Sequence, residues 1–470
     1  VRKQLLGFAV TLAILIVAIS IWIVVESLRG EQIQSLNPNG TLVETQNTTP
    51  THIVRSKTFN EHMRVGTKLL MQEKFEEAES EFAAAATLEP SAIEPLLSLA
   101  ETQAQLKELE KAHRNLDAVE QLDATNTDIF IMRGIILLRE NNFLEAEQFF
   151  AKAGDSGSFW RGMMAAFFDR RDEAKKLLAQ TSDARAPKIL AAFSEYAEYP
   201  DSPKTHLDTL LARAFIEVGE YQLALAKIGP VLEDDANYRD AWILTGYAQF
   251  AQQQFELARE SWQTAHALDS GKAETQYFLG LANYELKNYE EAEKYFLLAR
   301  ENNFVASDLD DKLVEIYLAN GKYRAAAELM FDKIENDPNA SFEDFSKTVS
   351  LYLDKLKDGR AAWSVANLAK KRFPESGEAW NLAGWVSLSN NYLDESQTQF
   401  EQSIQLDANS PWPYFNLGQL FEQRDKTASA LTAYYEAFNL DSSGAAGSAG
   451  TLAAEKYNRL LSEINPPTDE

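Results

Sequence analysis

Five histidines, at positions 52, 62, 113, 206 and 266, are the residues best suited to metal binding or proton transfer. A zinc hydrolase needs two of them a helical turn apart with a glutamate between, so that both rings reach one ion from one helix face. None of the five stands in His-Glu-x-x-His or another metal spacing. The chain has no cysteine, which excludes disulfides, thiolate nucleophiles, cysteine-ligated zinc and iron–sulfur clusters. Acidic pairs such as Glu76 with Glu77, or Asp310 with Asp311, have the right type for acid–base work. Such pairs are common on helices and turns and read as solvated faces. No Gly-x-Ser-x-Gly elbow and no dinucleotide fingerprint occurs. The glycines of residues 442–450, SSGAAGSAG, do not form a phosphate loop, because no strand precedes them and no Gly-Lys-Ser/Thr follows. These residues predict no enzyme, no metal and no cofactor.

What does recur is packing residues. A small residue is followed by alanine twelve positions on, a large apolar residue four later and a small residue three after that. The set occurs at Gly66, Ala78, Phe82 and Ala85, again at Gly246, Ala258, Trp262 and Ala265, and once more, one period of 34 later, at Gly280, Ala292, Phe296 and Ala299. Such a period means stacked helix pairs, each resting only on its neighbours. A missing side chain on one helix admits a bulky one from the next. These glycines, alanines and rings therefore read as core.

The pattern resembles the tetratricopeptide repeat family over nearly all of residues 59–442, in about eleven units. Units begin at 59, 93, 127 and near 155. The phase returns at 205 and continues at 239, 273, 307 and 343, where Ser350 takes the small position. The last two units carry Trp380, Gly384 and Phe400, then Tyr414, Gly418 and Tyr434. The resemblance implies an all-α fold, a right-handed α-α superhelical solenoid. Residues 154–206 are degenerate: Gly162, Ala174 and Leu178 keep the phase, but the unit lacks a clean end and an extra helix follows over 186–199. Either they are an irregularity in one solenoid, or they divide an N-terminal arm, 59–200, from a C-terminal arm, 205–442. Residues 448–464, with Leu452, Leu460, Leu461 and Ile464, read as a helix capping the last unit.

In this family the first helix of each unit lines a concave surface, with positions five, nine and twelve facing it. The resemblance thus implies a candidate peptide groove at Ile243, Tyr247, Phe250, Tyr277, Leu281, Tyr284, Trp385 and Phe415. Aromatic residues there suit an extended or helical peptide; the alternative is packing within the repeats. Asn381 and Asn416 stand one step apart in neighbouring units. They lack the basic companions of the family subtype that clamps a terminal carboxylate.

The chain has 71 acidic residues against 45 basic ones, for a net charge of −26. Phosphate binding needs lysine and arginine, so nucleic acid is not an expected partner. Basic proteins or peptides suit the charge, although an acidic surface is also simply a soluble one. Leu5–Val25 is an uncharged run of 21 residues, about long enough to cross a bilayer. It reads as an uncleaved transmembrane helix, with a cleaved secretory signal as the alternative. Residues 1–4 then form a short cytoplasmic flank, where Arg2 and Lys3 hold the N-terminus inside. Residues 26–57 form a polar tether.

The expected protein is a single-pass protein of the cytoplasmic (inner) membrane, with its bulk periplasmic or extracytoplasmic. Its partners would be the lipid bilayer and one or more proteins or peptides. The expected role is a membrane-tethered scaffold or adaptor in envelope assembly, secretion or a chaperone network. The alternatives are a permanent structural subunit of an envelope machine, or an accessory factor in polysaccharide export.

Overall fold

The computed structural model describes residues 58–199 and 201–464. The expected flank, transmembrane helix and tether lie outside the described residues. Among those described, no helix is long and apolar enough to cross a membrane. The fold is an all-α repeat solenoid in two compact units, one ending at Phe304 and the other beginning at Val305.

The first unit is built of antiparallel helix pairs: α1 (Phe59–Met71) with α2 (Phe75–Leu88), α3 (Ile93–Gln105) with α4 (Leu109–Leu122), and α5 (Thr127–Arg139) with α6 (Phe143–Lys152). A 3₁₀ turn at Gly154–Gly157 leads to α7 (Ser158–Phe167), α8 (Arg171–Gln180) and an additional helix, α9 (Ala186–Ala197). The pairs then resume with α10 (Lys204–Glu217) and α11 (Tyr221–Asp234), α12 (Arg239–Ala251) and α13 (Phe255–Leu268), and α14 (Ala273–Glu285) and α15 (Tyr289–Glu301). The second unit contains α16 (Leu309–Ala319) with α17 (Tyr323–Asn336), α18 (Phe342–Ser350) with α19 (Gly359–Arg372), α20 (Gly377–Ser389) with α21 (Leu393–Leu406), and α22 (Pro411–Gln423) with α23 (Thr427–Leu440). It ends in α24 (Ala449–Ile464).

In most units the small residue of the first helix makes room for a larger residue sixteen positions later. A Cβ on Gly246 would lie 2.4 Å from the indole Nε1 of Trp262. The same collision arises between Gly280 and Phe296, at 2.4 Å, and between Gly384 and Phe400, at 2.5 Å. Where the glycine is replaced by alanine, as at Ala100 and Ala212, the partners are Leu116 and Ile228 rather than rings. A glycine also faces an aliphatic partner at Gly162, where a Cβ would lie 2.8 Å from Leu178 Cγ.

Each pair turns through one residue in the left-handed region: Glu73, Lys107, Asn141, Asp169, Gly219, Gln253, Lys287, Gly321, Lys357, Asn391 and Asp425. Just past that residue an N–H reaches back to a carbonyl of the first helix, as Gln254 N does to Gln249 O at 2.9 Å. This closes the helix end as a Schellman-type cap. The eleven residues stand at one offset in all eleven units, including those whose packing residues have drifted.

Two irregularities have physical causes. First, the degenerate stretch is neither a linker nor a break. One apolar core runs from Leu137 through Phe159, Met163, Ile189 and Leu207 to Ala248. Helix α10 is buried nearly all round, which fits its mixture of Leu207, Leu210, Leu211, Phe215 and Ile216. An ion-pair cluster around the buried Lys227 and Asp208 ties the region together. Lys227 Nζ lies 2.6 Å from Asp169 and 3.0 Å from Asp208, and Lys204 reaches the same two carboxylates at 2.9 Å. One core therefore joins α9 to α10, and the two compact units divide at 304–305. Second, α18 runs on into a π turn at Leu351–Lys355, where the cap bond from Asp358 N goes to Tyr352 O. The extra residue shifts the helix face, so Val349 is fully buried while Ser350 is only half-buried.

Candidate binding surface

The first helices of the last two repeats and the terminal helix enclose a cleft of about 330 Å³. Helix α20 contributes Trp385, Leu388 and Ser389; α22 contributes Gln419, Glu422 and Gln423; α24 contributes Lys456. The six repeat residues occupy positions nine, twelve and thirteen of their units, one face of each helix. Trp385 and Leu388 give the cleft an apolar floor. The amides and the Ser389 hydroxyl give donors and acceptors.

The terminal helix is held by apolar packing and by an ion-pair network. Ala449, Ala453 and Leu460 pack on Phe415, Tyr434 and Ala437. Glu422 accepts a hydrogen bond from the Tyr434 hydroxyl and pairs with Arg459, which also reaches Glu463 at 3.2 Å. Burial, then the bond to Glu422, holds the Tyr434 hydroxyl protonated well above its usual range. Both oxygens of Glu422 are therefore engaged. Lys456, half-buried at the cleft, has no ion pair or hydrogen bond among the described residues. Asn416 Nδ2 donates to Asn381 Oδ1 at 3.0 Å, which links these two amides across neighbouring repeats.

Of the eight groove residues expected from sequence, three are core. Ile243 and Tyr277 are 0% and 1% exposed, and Phe415 is 6% exposed. Tyr277 packs against the rings of Phe296 and Phe304, with centroids at 5.8 and 4.9 Å. Phe415 lies on Tyr434 beneath the terminal helix. Position five points between helices here, which corrects the expectation that it faces a groove. Tyr247, Phe250, Leu281 and Tyr284 are half-buried. Phe250 packs on Phe255 and Trp262 of its own repeat, at 5.1 and 5.5 Å, and Tyr284 meets Tyr289 at 5.9 Å. Burial pushes the Tyr247 hydroxyl up to about 12, so it is a neutral, mostly packed ring. Trp385 alone of the eight lines the cleft. Gln419 was legible as the position-nine counterpart of Trp385. Lys456 was not, because it stands outside the repeat frame. Among the described residues no group of three or more His, Asp or Glu could hold a metal ion.

Residues 209–273 and 246–304 match one family model described as tetratricopeptide repeat, and residues 377–410 match another. These stretches are tetratricopeptide repeats. Similar solved structures include yeast Tom70, at 14% identity, with 87% of this chain and 97% of that one covered and a TM-score of 0.29. The TPR2AB-domain:pHSP90 complex of yeast Sti1 is similar at 16% identity, covering 55% of this chain and 98% of that one, with a TM-score of 0.27. The APC/C hetero-tetramer Cut9-Hcn1 is similar at 12% identity, covering 86% and 97%, with a TM-score of 0.26. No curated protein matches the chain.

Proposed function

We propose that this protein is a protein-interaction scaffold that holds a peptide segment of its partner in the cleft beside Trp385. The observation that carries this reading is the cleft itself. It is an apolar floor with polar walls, assembled from successive first helices, and its groups are not all consumed by internal bonds. Such a surface suits side-chain anchoring with main-chain hydrogen bonding. A photocrosslinking residue in place of Gln419 should capture a partner protein in native membranes. Trp385→Ala should abolish that capture while leaving helicity unchanged. Absence of any captured protein would remove the reading.

The setting we propose is the outer side of a cytoplasmic membrane, with Leu5–Val25 as anchor. The support is the uncharged run of 21 residues and its basic N-terminal flank. Recruitment for envelope assembly, secretion or a chaperone network is the corresponding role. Protease treatment of spheroplasts tests the placement: degradation confined to lysed cells would sink it.

A further inference from the structure

The cleft beside Trp385 runs against the charge of the chain. Acidic residues outnumber basic ones by 71 to 45. Lys456 projects from the terminal helix into the cleft and pairs with no carboxylate among the described residues. The one carboxylate that shares the cleft, Glu422, is committed to Arg459 and the Tyr434 hydroxyl. The remaining polar lining, Ser389, Gln419 and Gln423, is uncharged. The uncompensated charge of the site is therefore positive.

We infer that the cleft takes a peptide carrying an internal aspartate or glutamate side chain close to a large apolar side chain. This rests on the proposed scaffold reading and specifies its ligand. The apolar side chain covers Trp385 and Leu388. The acid pairs with Lys456, and the glutamine amides bond to the peptide backbone. In an extended peptide, side chains two residues apart fall on one side, about 7 Å from each other. That spacing allows two anchors within one small cleft. A charge-assisted bond to the lysine ammonium is worth more than a neutral one. The net charge of the chain, which favours basic partners overall, is overridden locally.

The test is selection of random peptides on the full chain in detergent micelles. The peptides are displayed through their C-terminal ends, so that none presents a free terminal carboxylate. Selection should enrich Asp or Glu near Leu, Phe or Trp. Lys456→Gln should weaken the selected peptide about ten-fold, the loss of one charge-assisted hydrogen bond. Lys456→Glu should turn selection toward Lys or Arg. Lys456 is on the surface of its helix, and circular dichroism checks that both variants remain folded. Enriched peptides that bind through Trp385 but ignore both Lys456 variants would overturn this inference and leave the scaffold reading standing. Binding confined to a synthetic peptide with a free C-terminal carboxylate would overturn the commitment to a side chain. No enrichment on the wild type would overturn both.

Discussion

Gly246→Ala should be far more damaging than a single methyl group suggests. The new Cβ would stand 2.4 Å from Trp262 Nε1 and 2.5 Å from Cδ1. An ordinary contact is about 3.5 Å, so the indole must retreat by about 1 Å. It has nowhere to go, since Trp262 is 1% exposed and stacks on Phe278 at 5.0 Å. Its N–H also donates to Ile243 O at 3.1 Å, a bond that the retreat would stretch or break. Overpacking costs about 1–3 kcal/mol, an orphaned buried donor about 1–3, and the better helix propensity of alanine returns about 1. The net loss is about 1–5 kcal/mol, concentrated in one repeat. Hydrogen exchange read by mass spectrometry should show faster opening over residues 239–272 than elsewhere. The double variant Gly246→Ala with Trp262→Leu recreates the pairing at Ala100 and Leu116 and should recover part of the loss. Unchanged exchange in the single variant, or no recovery in the double, would refute the ring-against-glycine account.

Other expectations can be checked in the same way. Gly219 has φ +84° with no atom near its missing Cβ, so Gly219→Ala isolates backbone strain. It should cost about 1–2 kcal/mol by denaturant titration, and Lys287→Gly should cost nothing or stabilise. Burial pushes Glu274 up from 4.5 to about 7, with Arg239 opposing. Because the folded value is the higher one, this group costs no stability below about pH 4.5 and progressively more up to pH 7, to at most about 3 kcal/mol. Glu274→Gln should flatten that dependence in hydrogen exchange of residues 273–285. Lys227→Met leaves Asp208 buried with Lys204 alone, and should lower stability by about 3 kcal/mol, read as a shifted unfolding midpoint.

The repeat period was legible because it is written in residue size. Gly246 and Trp262, or Gly384 and Phe400, announce a close crossing wherever they stand sixteen apart. The interruption at 154–206 was visible as a degenerate pattern, but its nature was not. Whether Met163, Ile189 and Leu207 share a core depends on how an extra helix packs, which no spacing records. The π turn left no mark in residue type either. A single added residue at Leu351–Lys355 moves Ser350 off the buried face, although the sequence alignment of the unit stays intact. Groove and core were confused at Ile243 and Tyr277 because both demand large apolar side chains on the same helix. Only burial separates them. The cleft's cation escaped notice because Lys456 belongs to α24, where repeat numbering has ended.

The fixed distance between each small residue and its large partner also constrains how such a chain can be recombined. Two repeats joined at their boundaries keep every pair intact. A junction falling between Gly246 and Trp262, by contrast, with the first half taken from the repeat of Ala212, would set a methyl group against an indole. Viable chimaeras of this protein should therefore exchange whole units, and fragments cut between the two helices of a hairpin should be inherited together or not at all.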